Sequence, residues 1–427
     1  MLVEDLHKFF LECNAICIDN RKIVAGDMFF AISGDRFNAN TFAQAALDAG
    51  AKFAIIDDKN FYIDQRTILV ENGLQTLQEL ATFHRNFLNI PVIALTGSNG
   101  KTTTKELIDI VLKQKFRTTA TVGNLNNHIG VPLTLLSFTK STEIGIVEMG
   151  ANHQKEIEFL CELALPDYGY ITNFGKAHLE GFGGVDGVIK AKSEMYVHLR
   201  ENHKIAFVNI DDALQIDRSV GIEQVFFGIK NEKSFVDIET VEANPFVKIK
   251  FSNTIVISNL IGLYNANNIN VAITIGKYFG IQDEVIKTAI EAYIPDNNRS
   301  QMILKNGNEI ILDAYNANPS SMAVAIDNFL QLDKPNKFLF LGDMFELGDE
   351  SIVEHQEIIN KLKASIEVLC FFVGYDFYKC KSDEKHYVFF ETFDDLKQNF
   401  DTSQFHDAAI LIKGSRGMAL ERILELL

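Results

Sequence analysis

The residues best suited to chemistry begin at Leu95–Thr104, which reads LTGSNGKTTT. Glycines in such a loop let the backbone approach a phosphate and aim several N–H groups at it, and a following helix adds its positive dipole end. Gly97, Ser98, Asn99, Gly100 and Thr103 would form the cradle. Lys101 would reach the β and γ phosphates, and the Thr102 hydroxyl would sit on a magnesium ion. Leu95 stands where the general G-x-x-x-x-G-K-[ST] pattern has its first glycine. The strand-like and helix-like flanks still make a triphosphate binder the working reading. Glu148 follows the apolar run Ile144–Val147. A carboxylate at the carboxyl end of a buried strand calls for a cation, or else for a salt bridge or solvent. His178 lies in the glycine-rich tract NFGKAHLEGFGG (173–184) rather than on a helix face. Lys192 falls in a helical pattern set by Ile189, Met195 and Leu199, and on its own reads as a solvated helix lysine. Asn265 and Asn268 share a helix face, where their amides suit an adenine edge or a helix cap.

Polar clusters surround this set. Asn124 and Asn127 belong to VGNLNNHIGVP (122–132), a donor-rich segment that reads as a ligand-facing loop or as ordinary turn chemistry. Near the start, Asn20, Arg21 and Lys22, with the loop from Ser33 to Asn38, read as solvated turns or as a pocket for a phosphorylated ligand. Late in the chain, three apolar runs end in DAYNANPS (313–320), GDMFELG (342–348) and KGSRG (413–417).

These residues need a scaffold with many strand ends on one edge. The chain supplies it as alternating strand and helix patterns, which predict α/β architecture with parallel sheets. Residues 1–89 form a small unit with strands at Met28–Ile32 and Phe53–Ile56. Residues 90–294 form the central unit, with β-rich sequence at about 225–258 and helix from Leu260 to Phe279. Residues 295–427 form a third unit with a helix at Met322–Leu332 and another at the end. The turn residues at Leu88–Pro91 and Ile294–Ser300 mark the junctions.

At 427 residues and 47% hydrophobic content the chain has material for two or three well-filled cores. A formal charge of −17 argues against nucleic acid or an anionic membrane surface as partner. No apolar run spans a bilayer, and no basic, apolar leader opens the sequence, so neither membrane insertion nor export is expected. Five scattered cysteines lack zinc or redox spacing and fit a reducing cytoplasm.

TGSNGKTTTKE (96–106), NLNNHIGVPLT (124–134), EMG (148–150), NFGKAHLEGFG (173–183), AKSE (191–194), LYNANN (263–268), DAYNANPSSM (313–322), LGDMFELG (341–348) and KGSRG (413–417) together resemble the Mur ligase family. They occur in that family's order, and DNRKIVAGDMFFAISGDRFNANTFA (19–43) extends the resemblance over nearly the whole chain. The resemblance implies three domains: an N-terminal domain binding a UDP-linked substrate, a central ATP-binding domain, and a Rossmann-like C-terminal domain receiving the amine. It implies a monomeric ATP-dependent amide ligase of peptidoglycan precursor synthesis. Such an enzyme joins D-alanyl-D-alanine to UDP-N-acetylmuramoyl-tripeptide through an acyl phosphate. Another Mur-type ligase, for the third amino acid or folylpolyglutamate, is the alternative within the class; a non-catalytic nucleotide-binding protein is the alternative outside it.

By family position, Lys101 serves the phosphates, while Thr102, Glu148, His178 and Lys192, the last as a carbamate, serve two magnesium ions. Asn265 and Asn268 face adenine, and Arg299 and Asp313 face the phosphates and ribose. Asn124 and Asn127 face the muramoyl substrate. Asn20, Arg21, Lys22, Ser33 and Asn38 face its UDP end. Tyr315, Asn316, Asn318, Asp343, Lys413, Ser415 and Arg416 surround D-alanyl-D-alanine.

Overall fold

The computed structural model describes residues 1–34, 37–401 and 404–427. Asp35 and Arg36, part of the loop expected to face a phosphorylated ligand, lie outside the described residues. The chain folds into three α/β domains, each built on a largely or wholly parallel sheet.

The first sheet takes its strands in chain order, Ile16–Cys17, Met28–Phe30, Phe53–Ile56 and Thr67–Leu69, all parallel. Its inner strands, Met28–Phe30 and Phe53–Ile56, are short apolar runs almost wholly buried, as parallel strands flanked by helices must be. The helix Gly73–Leu88 starts on an Asn72 side-chain cap and ends in left-handed Asn89. It reaches beyond its own sheet. Arg85 donates to the carbonyls of Ala164 and Leu165 and pairs with Asp167 at 2.7 Å. A continuous buried cluster therefore runs from Leu6 and Ile55 through Leu77 to Val92 and Val147.

The central sheet has six parallel strands in the spatial order Glu223–Phe227, Ile205–Asn209, Tyr168–Ile171, Val92–Thr96, Ile144–Glu148 and Thr118–Ala120. The phosphate-loop strand Val92–Thr96 is an interior strand, fully buried, and leads into the helix Lys101–Leu112. Glu148 ends its neighbour, so the two candidate groups leave adjacent strands on the same edge. The helix Val185–Glu201 carries Lys192 as expected, but on its buried face.

The β-rich stretch forms a three-stranded antiparallel sheet, Ile238–Ala243, Phe246–Phe251 and Thr254–Ile261. Alternate residues Val247, Ile249 and Phe251 pack with the helix Ala266–Tyr278. Leu260 and Ile261 thus close a strand instead of opening the helix, which begins only after Gly262 turns the chain at φ 82°.

The third sheet runs Gln301–Lys305, Asn308–Asp313, Ala409–Lys413, Lys337–Gly342, Val368–Val373 and Tyr387–Phe390, with only the first pair antiparallel. The helix Pro319–Leu330 starts with an Asn318–Ser321 capping box and Pro at its first turn, three residues before the expected start. The expected final helix is a 3₁₀ segment, Leu420–Glu425, entered through left-handed Ala419.

Candidate active site

The carboxyl ends of the central and third sheets face a shared cavity of about 580 Å³. From the phosphate loop it is lined by Ser98, Asn99, Gly100, Lys101, Thr102 and Thr103. Gly97 sits behind that wall at φ 140°, where a Cβ would lie 2.0 Å from Thr172 Oγ1. Only glycine lets the loop pass so close to the neighbouring strand end. Lys101 folds back, donating to the Gly97 carbonyl at 2.7 Å, and burial pushes its pKa down. Thr104 and Asn268 share a hydrogen bond of 3.0 Å that ties the phosphate-loop helix to the helix Ala266–Tyr278.

Asn265 and Asn268 line the same cavity, with Asn268 donating to Asn265 Oδ1 at 2.9 Å and Asn265 to the Ile261 carbonyl at 2.8 Å. Part of their hydrogen-bonding capacity is thus spent on holding one another. Asn124 and Asn127 enter from the asparagine-rich loop, where Asn127 Oδ1 accepts the Ile129 and Gly130 N–H groups.

Glu148 is buried at the strand end. Its Oε1 accepts from Asn126 at 2.8 Å, whereas Oε2 is buried without a partner. A buried, half-satisfied carboxylate is the site's clearest electrostatic demand, and a cation meets it. Asn126 was within a segment readable as ligand-facing, but its role as the partner of Glu148 was not readable. His178 lines the cavity in left-handed conformation, φ 51°, and its Nδ1 pairs with Glu346 from the third domain. That contact holds the Glu346 carboxyl below its usual range. Among the described residues no three His, Cys, Asp or Glu side chains converge on one point.

Lys192 is buried and does not line the cavity. Its Nζ stands 5.1 Å from the Phe182 ring centroid, with one long hydrogen bond, 3.4 Å, to the Ala151 carbonyl. Burial first, and then Lys101, hold its pKa well below the lysine value. The solvated helix lysine is thereby excluded.

The third domain closes the cavity with Arg299, Asp313, Tyr315, Asn316, Asn318 and Lys413. Asp313 pairs with Lys413 at 2.6 Å and accepts the Ser300 N–H at 3.1 Å. Asn318 donates to Asn99 Oδ1 at 2.7 Å, joining the third domain to the phosphate loop. Three residues expected here are elsewhere. Asp343 is buried and accepts the Asp376 and Phe377 N–H groups, each at 3.0 Å, at the start of the helix Tyr375–Lys379. Burial raises its pKa, opposed by those N–H groups and by His355. Ser415 accepts the Phe345 N–H at 2.9 Å and so fastens two loops together. Arg416 points to Glu421 at 2.7 Å on the surface.

The N-terminal residues also lie away from this cavity. Arg21 is exposed and paired with Asp19, which caps the 3₁₀ turn Asn20–Lys22. Ser33 and Asn38 belong to a network in which Asn40 donates to Asp57 at 2.7 Å and Asp57 accepts the Gly73 N–H at 3.0 Å. The five cysteines are free, three of them buried.

Family models agree with this arrangement over most of the chain. The model described as Mur ligase middle domain matches residues 95–276, and that described as Mur ligase, glutamate ligase domain matches 298–416. The UDP-N-acetylmuramoyl-tripeptide–D-alanyl-D-alanine ligase of Bacillus subtilis (strain 168) is 34% identical over 425 residues, 96% of this chain and 92% of the relative. The enzyme of that name from Escherichia coli (strain K12) is 34% identical over 82% of this chain and 79% of its own length. A crystal structure of MurF from Acinetobacter baumannii superposes with a TM-score of 0.86 at 29% identity, covering 99% of this chain and 97% of that one. The MurF ligase from Thermotoga maritima in complex with ADP gives 0.82 at 28% identity, covering 98% and 97%.

Proposed function

The chain belongs to the Mur ligase family, and from that premise we propose how its cavity works. The protein is an ATP-dependent ligase that joins D-alanyl-D-alanine to UDP-N-acetylmuramoyl-tripeptide, releasing ADP and phosphate. The observation that carries the reading is the cavity itself. A phosphate loop, a half-satisfied buried carboxylate and cationic third-domain side chains line one space.

ATP lies along Ser98–Thr103, with its γ-phosphate toward Lys101 and its base toward Asn265 and Asn268. The terminal carboxylate of the tripeptide enters past Asn124 and Asn127 and attacks the γ-phosphorus. The bond to ADP breaks and an acyl phosphate forms. The amine of D-alanyl-D-alanine then attacks the acyl carbon, loses a proton, and expels phosphate. Charge accumulates on phosphoryl oxygens in the first step and on the tetrahedral oxygen in the second, so fixed donors and cations dominate the rate. Lys101, Arg299 and Lys413 supply them, with Asp313 holding Lys413 in place. Tyr315, Asn316 and Asn318 border the amine's path, while Asp343, Ser415 and Arg416 shape the loops behind it.

Magnesium fits this donor set: Thr102, Glu148 and His178 would hold it, and it would neutralise phosphoryl charge. Two ions accord with the family resemblance. Lys192 is suited to join as a carbamate. Burial lowers its pKa and so favours the free amine, which can attack CO₂, form an N–C bond and lose a proton, giving an anionic carbamate. The UDP end belongs near Asn20–Lys22, Ser33 and Asn38 in the N-terminal domain. Domain junctions fall near residues 89 and 294, and the enzyme works as a monomer in the cytoplasm. Among the described residues no helix is long and apolar enough to cross a membrane.

The test is phosphate release with ATP, UDP-N-acetylmuramoyl-tripeptide and a panel of amines. Turnover with D-alanyl-D-alanine is expected. Turnover with a diamino acid and the UDP-dipeptide instead would assign the chain to the neighbouring ligase.

A further inference from the structure

The chain crosses from the central to the third domain through residues 293–300, between the helix Asp283–Ala292 and the strand Gln301–Lys305. This segment carries Arg299, whose guanidinium lies 3.6 Å from the Tyr315 ring centroid and whose Nε is buried without a partner at the cavity. Arg299 is held between two non-glycine residues in left-handed conformation, Asn298 at φ 57° and Ser300 at φ 52°. Asparagine tolerates that region and serine much less, so the turn persists only while its surroundings hold it.

Those surroundings are specific. Beyond the turn, the Ser300 N–H donates to Asp313 at 3.1 Å and its hydroxyl meets Tyr264 at 2.6 Å. The Tyr315 N–H donates to the Asn298 carbonyl at 3.1 Å. Before the turn, the linker is fastened to Glu106. Tyr293 donates its hydroxyl to Glu106 Oε2 at 2.6 Å, and Asn297 donates its amide to Oε1 at 3.2 Å. Glu106 lies on the phosphate-loop helix Lys101–Leu112, five residues after Lys101, and does not line the cavity. Its two oxygens therefore bind the linker to the same helix that presents the phosphate cradle.

We propose that Glu106 is a positioning residue, the pin of the interdomain linker, and that it acts on catalysis through Arg299. The proposal rests on the reading of the cavity as the ATP site. Because Glu106 makes no contact with the cavity, losing it should spare ATP binding. It should let the turn relax and Arg299 leave its place as phosphoryl charge develops.

Glu106→Gln retains the size but turns one acceptor into a donor, and Tyr293→Phe removes one bond from the other side. Each is expected to lower kcat about tenfold, with ATP affinity changed less than about twofold and the thermal midpoint nearly unchanged. In an Arg299→Ala background, Glu106→Gln should lower kcat by less than a further factor of about two, because the route through Arg299 is already lost. The proposal is overturned by factors that multiply in the double variant, or by a Glu106→Gln enzyme that keeps wild-type kcat, whatever its thermal stability. An Arg299→Ala enzyme as fast as the wild type would overturn it as well. Failure of the wild type to release phosphate with both substrates would instead refute the cavity's assigned function.

Discussion

Two buried charged side chains, Glu148 at the cavity and Lys192 outside its lining, are each costly alone. Leaving one oxygen of an ionised carboxylate buried and unpartnered costs several kcal/mol, so Glu148 Oε2 is a standing demand for positive charge. Lys192 poses the opposite problem, since burial, and then Lys101, disfavour its cation and hold its pKa well below the lysine value. The carbamate proposed for Lys192 predicts a signal from ¹³C-labelled bicarbonate that Lys192→Ala lacks. The same variant should lose at least ~99% of kcat, about 2.7 kcal/mol in the barrier, and recover part of it with added short-chain carboxylates. Wild-type activity in Lys192→Ala would remove the lysine from the site. Nothing in the sequence pattern distinguished this lysine from a solvated one. Its burial depends on which face of the helix Val185–Glu201 turns inward, and only the family resemblance singled it out.

At the level of elements, what was legible follows from local rules. Apolar runs ending in glycine- and asparagine-rich loops marked the strand ends, and the phosphate loop declared itself by its strand–helix setting. Asp343 was misleading because its partners, the Asp376 and Phe377 N–H groups, lie more than thirty residues away. An acidic residue in a strand-end loop looks the same whether it faces a ligand or caps a distant helix. The bridging role of the helix Gly73–Leu88 was equally hidden, since its outer contacts belong to another domain. There His84 Nε2 donates to the Phe138 carbonyl at 2.9 Å, and its Nδ1 meets His7 Nε2 at 2.9 Å.

Burial, and then His84, lower the His7 pKa to about 4. The unfolded chain takes up this proton near pH 6.5 while the folded chain refuses it until about pH 4. Stability is therefore full above pH 6.5 and drains as pH falls through this window, by on the order of 1–3 kcal/mol. The urea midpoint should be level above pH 7 and fall steadily toward pH 5, with a shallower fall in His7→Phe. A midpoint independent of pH over that range would contradict the account of this contact.

Across the whole molecule, the central and third domains meet through polar contacts beside the cavity. Asn318 reaches Asn99, the Lys176 N–H donates to Ser320 Oγ at 2.8 Å, and Lys176 pairs with Glu354 at 2.5 Å. Glu346 meets His178 nearby. Such contacts are individually weak and easily exchanged with water. The proposed order, a carboxylate meeting ATP before the amine, has a direct isotopic signature. With ¹⁸O in the terminal carboxylate of UDP-N-acetylmuramoyl-tripeptide, the oxygen that attacks the γ-phosphorus leaves with the phosphate. Mass spectrometry of the phosphate released in the presence of D-alanyl-D-alanine should find one ¹⁸O per amide bond formed. Unlabelled phosphate accompanying amide formation would contradict the acyl-phosphate route, and with it the account of this cavity.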